Sequence, residues 1–398
     1  MSRSLVVFGL SLSSSWGNGH APTYRGLLRA LAERGWSITF FERDVEWYRS
    51  NCDLPEPDFC ELRLYSDWRS LQREAGPIVS AADVTLVGSL EAGGSDIVDW
   101  LVTRDRPLFF YDIDTPITLV ALNRAGRVDY LRADQIPLFE TYFSFAGGPA
   151  LDELERRWGA RRAEALFCGV DTRVYRPVSA DAEFECLLSY MGTYSEDRQP
   201  ALEELLFGPA RLRPTARFVL AGAQYPPMDL PPNVRHEIHV YQRHHAALYC
   251  SSRATLNLTR RSMRQYGWAP STRLFEAAAC GACIISDAWA GLDTLFQPGA
   301  EVLLAETRHD VLRHLEDLTA EQRTAIAAAA RARVLREHTY EQRALQVEAA
   351  FDRAIAAASG ARSLADRPLS GLSRSRPKFF QQDAPGARCG DRRFQARP

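Results

Sequence analysis

The chain has 398 residues, a formal net charge of −2, 46% hydrophobic and 25% charged residues, which is the balance of a globular protein of about two domains without a basic surface for nucleic acid. No apolar run reaches bilayer-spanning length and MSRSLVVFGL reads as a first strand rather than a secretion signal, so a cytoplasmic setting is expected. Lys378, out in the tail, is the only lysine, which excludes Schiff-base chemistry and Lys-bearing phosphate loops and leaves arginine, helix amides, hydroxyls or a metal to hold any phosphate.

In chain order, SLVVFGL, SITFF, VTLVGS, PLFFY, YFSF and ALF are short apolar runs, with a helix expected over Pro22 to Arg34 and further amphipathic segments between them. That alternation predicts parallel strands joined by right-handed crossover helices. A polar stretch around Asp171 to Glu183 breaks the pattern, and a second series follows: LLSYMG, RFVLAG, a helix around His244 to Cys250, ATLNL, a helix over Ser271 to Ala279, CIIS and EVLL. The fold class expected is α/β, with two Rossmann-like, doubly wound parallel sheets facing a cleft. The expected division is 1–175, 176–335, a closing helix over 336–359 and a disordered tail over 360–398, where Arg, Pro, Gly and Ser replace aliphatic residues. The scattered cysteines, including the pair Cys280 and Cys283, fit reduced thiols buried as small hydrophobes.

Four segments carry candidate chemistry. After the first strand, Gly17, Asn18 and Gly19 form a cleft loop that lets backbone approach a substrate; His20 beside them fits either a proton-handling or a helix-capping role. Asp112 and Asp114 follow an apolar strand, where they suit an acid/base role, helix capping or, least of the three, a divalent metal. Gly192 and Arg198 open the second half, and Arg260, Arg261 and Arg264 sit between a strand and the next helix, with Arg260 and Arg264 spaced to share a face. That next helix starts at Ser271, Thr272 and Arg273 and carries Glu276 one turn in, so its amides can face a diphosphate while Glu276 accepts from a ribose.

Taken together, FGLSLSSSWGNGHAPTYRGLLRAL, FYDIDTP, FAGGPALDELE, LNLTRRSMRQYGWAPSTRLFEAAACGACIISD and REHTYEQRA resemble a GT-B glycosyltransferase of the CgeB-like, spore-maturation-protein type with a family-1-type C-terminal domain. The resemblance implies that the second half binds a nucleoside-diphosphate sugar and the first half a hydroxyl-bearing acceptor. It also implies that no metal or other cofactor is needed. Glu276 then matches the acid that holds the ribose, Ser271 and Thr272 the amides on the diphosphate, and Arg198 and Arg264 neutralise the leaving group. Asp114, Asp112 and His20 are the catalytic candidates; many retaining relatives carry a glutamate where this chain has Trp268. A nucleotide-sugar epimerase and a non-catalytic binding or coat-assembly protein are the alternatives of another class.

Overall fold

The computed structural model describes residues 3–365, with side chains described over 3–359. The first sheet takes β1 (Arg3–Phe8), β2 (Trp36–Arg43), β3 (Glu61–Tyr65), β4 (Val84–Gly88), β5 (Leu108–Asp112), β6 (Thr141–Ser144) and β7 (Ala163–Ala165) in the order β3-β2-β1-β4-β5-β6-β7. All its pairs are parallel, with β1 Leu5 beside β2 Ile38 on one side and β4 Val84 on the other. The second sheet takes β8 (Cys186–Met191), β9 (Phe218–Ala221), β10 (Val234–Glu237), β11 (Ser252–Asn257), β12 (Ile284–Ser286) and β13 (Leu303–Leu304) in the order β10-β9-β8-β11-β12-β13, again all parallel. Each sheet is therefore doubly wound, and its order reverses beside its first strand, between β1 and β4 or between β8 and β11. A ligand crevice opens at such a point because neighbouring loops leave in opposite directions.

Both faces of these strands are covered, so they read as continuous apolar runs rather than alternating ones. Phe8, Phe40, Phe41, Phe109 and Phe110 are fully buried, each contributing roughly 1.5–3 kcal/mol of apolar burial. Two strands that the sequence reading passes over, β3 (ELRLY) and β10 (VRHE), lie at sheet edges, where charged residues face water and break the apolar run. The first crossover helix, α1, spans His20–Glu33 and so begins earlier than expected, taking His20 as its first residue.

The second-half helices that matter for the site are α2 (Gln242–Ser251), α3 (Arg261–Tyr266) and α4 (Thr272–Ala279). After α5 (Ala320–Glu337), the last helix α6 (Tyr340–Ala365) returns to the first half, where Tyr340, Ala344, Val347 and Phe351 pack with Val7, Tyr24 and Phe109. Helix α6 extends past Gly360; the rest of the tail expected to be disordered lies outside the described residues. Cys280 and Cys283 are buried free thiols, and among the described residues no helix is long and apolar enough to cross a membrane.

Candidate active site

The loops after β1, β5, β8 and β11 converge on one cavity of about 220 Å³. From the first half it is lined by Gly19, His20 and Asp114, and from the second by Arg198, Arg260, Ser271, Thr272 and Arg273. Residues far apart in the chain meet because both switch points contribute to the same space.

On the first-half side, Asp112 and Asp114 part company although they are two residues apart. Asp112 ends β5 fully buried, accepts from the Tyr142 hydroxyl at 2.6 Å, the Thr118 hydroxyl at 2.9 Å and the Asp114 amide at 3.0 Å, and does not line the cavity. Burial, reinforced by the Asp114 charge, pushes its carboxyl up to about 7. Asp114 caps the helix Thr115–Ala125 by position, accepts from the Ser89 hydroxyl at 2.9 Å and lies 2.9 Å from His20 Nε2. Burial alone would raise its carboxyl, but the His20 contact, the Ser89 bond and the Arg260 charge hold it below the usual carboxylate range. Asp114 is therefore an ionised partner for His20, which is only 4% exposed. Gly19 reaches the cavity, whereas Gly17 and Asn18 do not; the Asn18 side-chain Oδ1 accepts from the Ala21 amide at 2.9 Å and steadies the start of α1.

On the second-half side, Arg198 follows the turn after β8 and is 8% exposed, with Nη2 donating to the Thr193 carbonyl at 2.5 Å and Nε buried without a partner. Burial lowers its pKa, and the like charges of Arg273 and Arg260 add to the effect. Among the described residues, neither Arg198 nor Arg273 has a carboxylate within ion-pair distance, while Arg260 Nε lies 3.8 Å from Asp197. Arg273 Nη1 donates to Ser271 Oγ at 2.6 Å, and Ser271, at the N-cap of α4, makes no side-chain cap to the first turn. Gly192 does not line the cavity, yet a Cβ there would lie 3.0 Å from Arg273 Nη2 and 2.7 Å from the Tyr190 hydroxyl, so it leaves the guanidinium its room. Arg198, Arg260 and Arg273 line one cavity beside helix amides that no side chain caps, and an anionic ligand there would relieve a repulsion that Asp197 offsets only in part.

Two expected members stand apart. Arg264 sits within α3, is about half exposed, lies 3.9 Å from Asp287 and does not line the cavity, so the shared face with Arg260 is not formed: Arg260 caps the helix and Arg264 turns toward Asp287. Glu276 lies one turn into α4, off the cavity, 3.4 Å from the Tyr249 hydroxyl. The sequence reading misses the apolar lining of Ile113, Ile117, Phe145, Leu258 and Met263, which carries no motif and emerges only when the two sheets face each other.

Residues 198–349 match the family model described as glycosyl transferase-like. A search of curated proteins finds no match. Among solved structures, sucrose-phosphate synthase (tll1590) from Thermosynechococcus elongatus is similar at 16% identity and a TM-score of 0.61, over 89% of this chain and 100% of that one. Anabaena Alr3699/HepE in complex with UDP-glucose is similar at 12% identity and 0.63, over 88% and 99%. An alpha-glucosyltransferase in complex with UDP-glucose and DNA containing an abasic site is similar at 12% and 0.66, also over 88% and 99%. The fold is GT-B, and the family match is confined to residues 198–349.

Proposed function

We propose that this protein is a glycosyltransferase that moves a sugar from a nucleoside-diphosphate-sugar donor to a hydroxyl-bearing acceptor, of the CgeB-like kind and working in the cytoplasm. The observation that carries this reading is the single cavity in which Arg198, Arg260 and Arg273 face the His20–Asp114 pair. The glycosyl transferase-like domain and the solved structures holding UDP-glucose on this fold support a nucleotide sugar as the donor.

In the reaction, the acceptor oxygen bonds to the anomeric carbon, the bond from that carbon to the diphosphate oxygen breaks, and the bonding pair leaves with the nucleoside diphosphate. The acceptor proton passes to His20, whose imidazolium is stabilised by ionised Asp114. Negative charge growing on the leaving diphosphate meets Arg198, Arg260, Arg273 and the first amides of α4, already fixed and partly shielded from water, so little reorganisation is needed. Glu276, beside Tyr249 and one turn into α4, takes the ribose hydroxyls. The reading is metal-independent: Asp112 is engaged by Tyr142 and Thr118, Asp114 by His20 and Ser89, and arginines take the phosphate charge.

The test is to titrate the purified chain with UDP and UDP-glucose by calorimetry and to follow donor consumption with and without EDTA. Saturable nucleotide binding with EDTA-resistant turnover is expected; absence of nucleotide binding refutes the donor site, and loss of turnover in EDTA refutes the metal-independent mechanism.

A further inference from the structure

Resting on the acceptor role given to the first half, we infer that the acceptor is an amphipathic alcohol or phenol, a single reactive hydroxyl on an apolar body, rather than a saccharide. Three loops hold the reacting pair, and each exposes a large apolar side chain. Trp16, in the loop leading to Gly19 and His20, is 43% exposed; Leu90, next to the Ser89 that bonds Asp114, is 42% exposed; Ile117, just inside the helix that Asp114 caps, is 48% exposed and lines the cavity. Of these three only Ile117 lines the cavity, where the first-half wall continues with Ile113, Pro116 and Phe145.

A saccharide needs several fixed donors and acceptors, because each of its hydroxyls loses water on entry. Here the first-half ionisable groups at the cavity are already engaged, His20 and Asp114 with each other and Cys168 with the Thr23 hydroxyl. Leu90 adds an independent observation. Its φ of +60° is a left-handed backbone that costs a leucine about 1–2 kcal/mol, and the strain holds an apolar side chain out in water. Strain and exposure at the residue next to Ser89, which bonds Asp114, mark a place shaped for a ligand.

The experiment titrates the full chain with 2-naphthol, a phenolic hydroxyl on an apolar bicycle, by its fluorescence, with and without UDP and against methyl α-glucoside. Saturable binding untouched by the glucoside is expected. It should weaken about tenfold in Leu90→Asn and in Ile117→Asn, the size of losing one apolar side-chain contact. Leu90→Asn should melt no lower than wild type, because asparagine tolerates the left-handed backbone, so weaker binding there is not misfolding. No saturable 2-naphthol binding, wild-type affinity in both variants, or displacement by the glucoside overturns the inference. UDP affinity, measured on the same samples, reads the donor site separately: its loss beside intact naphthol binding refutes the donor reading alone.

Discussion

Replacing Arg198 by methionine separates two quantities that ordinary damage would move together. Arg198 is 8% exposed, has no carboxylate within ion-pair distance among the described residues, and shares its cavity with Arg260 and Arg273. In the unliganded protein its charge is therefore a cost, as its lowered pKa from burial and like charges indicates. Methionine keeps the apolar stem and removes the charge, so the unliganded melting temperature should hold or rise, the lost bond to the Thr193 carbonyl being a small offset. A diphosphate loses a charge-assisted contact worth about 1.5–3 kcal/mol, which is roughly ten- to a hundredfold in UDP affinity. Thermal melts amplify the contrast: UDP at a hundred times the wild-type Kd stabilises wild type by about 2.7 kcal/mol, but a hundredfold weaker variant by only about 0.4 kcal/mol. Calorimetry with UDP and melts with and without it supply both numbers. A variant that melts lower and binds UDP within about twofold of wild type would refute the cationic seat.

Further outcomes follow from the same geometry. His20→Gln and Asp114→Asn should each cut kcat by about a hundredfold or more, the usual weight of general base catalysis, with UDP affinity unchanged; a change confined to KM would remove the proton role. Glu276→Ala should weaken UDP by about tenfold yet leave inorganic diphosphate binding as it is, because a ribose contact touches only the nucleoside. Asp112 supplies a pH signature. Its folded pKa of about 7 lies above the unfolded value near 4, so between these the native state binds more protons than the unfolded chain and stability falls as pH rises. Melting curves from pH 5 to 8 should show Asp112→Asn gaining on wild type toward high pH, and parallel curves would contradict the raised carboxyl.

The parts of this molecule legible in sequence are those fixed by local chemistry. Apolar runs announce the central strands, and Ser271 with its amphipathic successor announces α4. Edge strands escape because β3 and β10 face water and carry charge at alternate positions. At the site, residue type is legible but direction is not. Asp112 and Asp114 look alike on paper, yet one ends a strand beneath Tyr142 and the other caps a helix at the cleft. Arg260 and Arg264 share helical spacing, but only Arg260 lines the cavity. His20 and Asp114 meet because β4 alone separates β1 from β5, a fact of strand order that no local pattern encodes.

Trp268 fits the proposed placement of the reacting groups in the first half. The residue at this position is committed to packing and backbone bonds. Its carbonyl accepts from the Gly147 amide at 2.8 Å, just past β6, and its amide donates to the Ala290 carbonyl at 2.7 Å, just past β12. Its ring lies where a Cβ on Gly148 would come within 2.6 Å and one on Gly291 within 2.4 Å, so a glycine from each half makes way for the indole. The residue holds a φ of +44°, a conformation that persists only where surrounding bonds enforce it, and both backbone bonds do so. A side chain wedged between the halves in this way does not line the cavity. With no carboxylate there, Asp114 is the one acid lining the cavity among the described residues, and its contact with His20 is what the proposed proton transfer rests on.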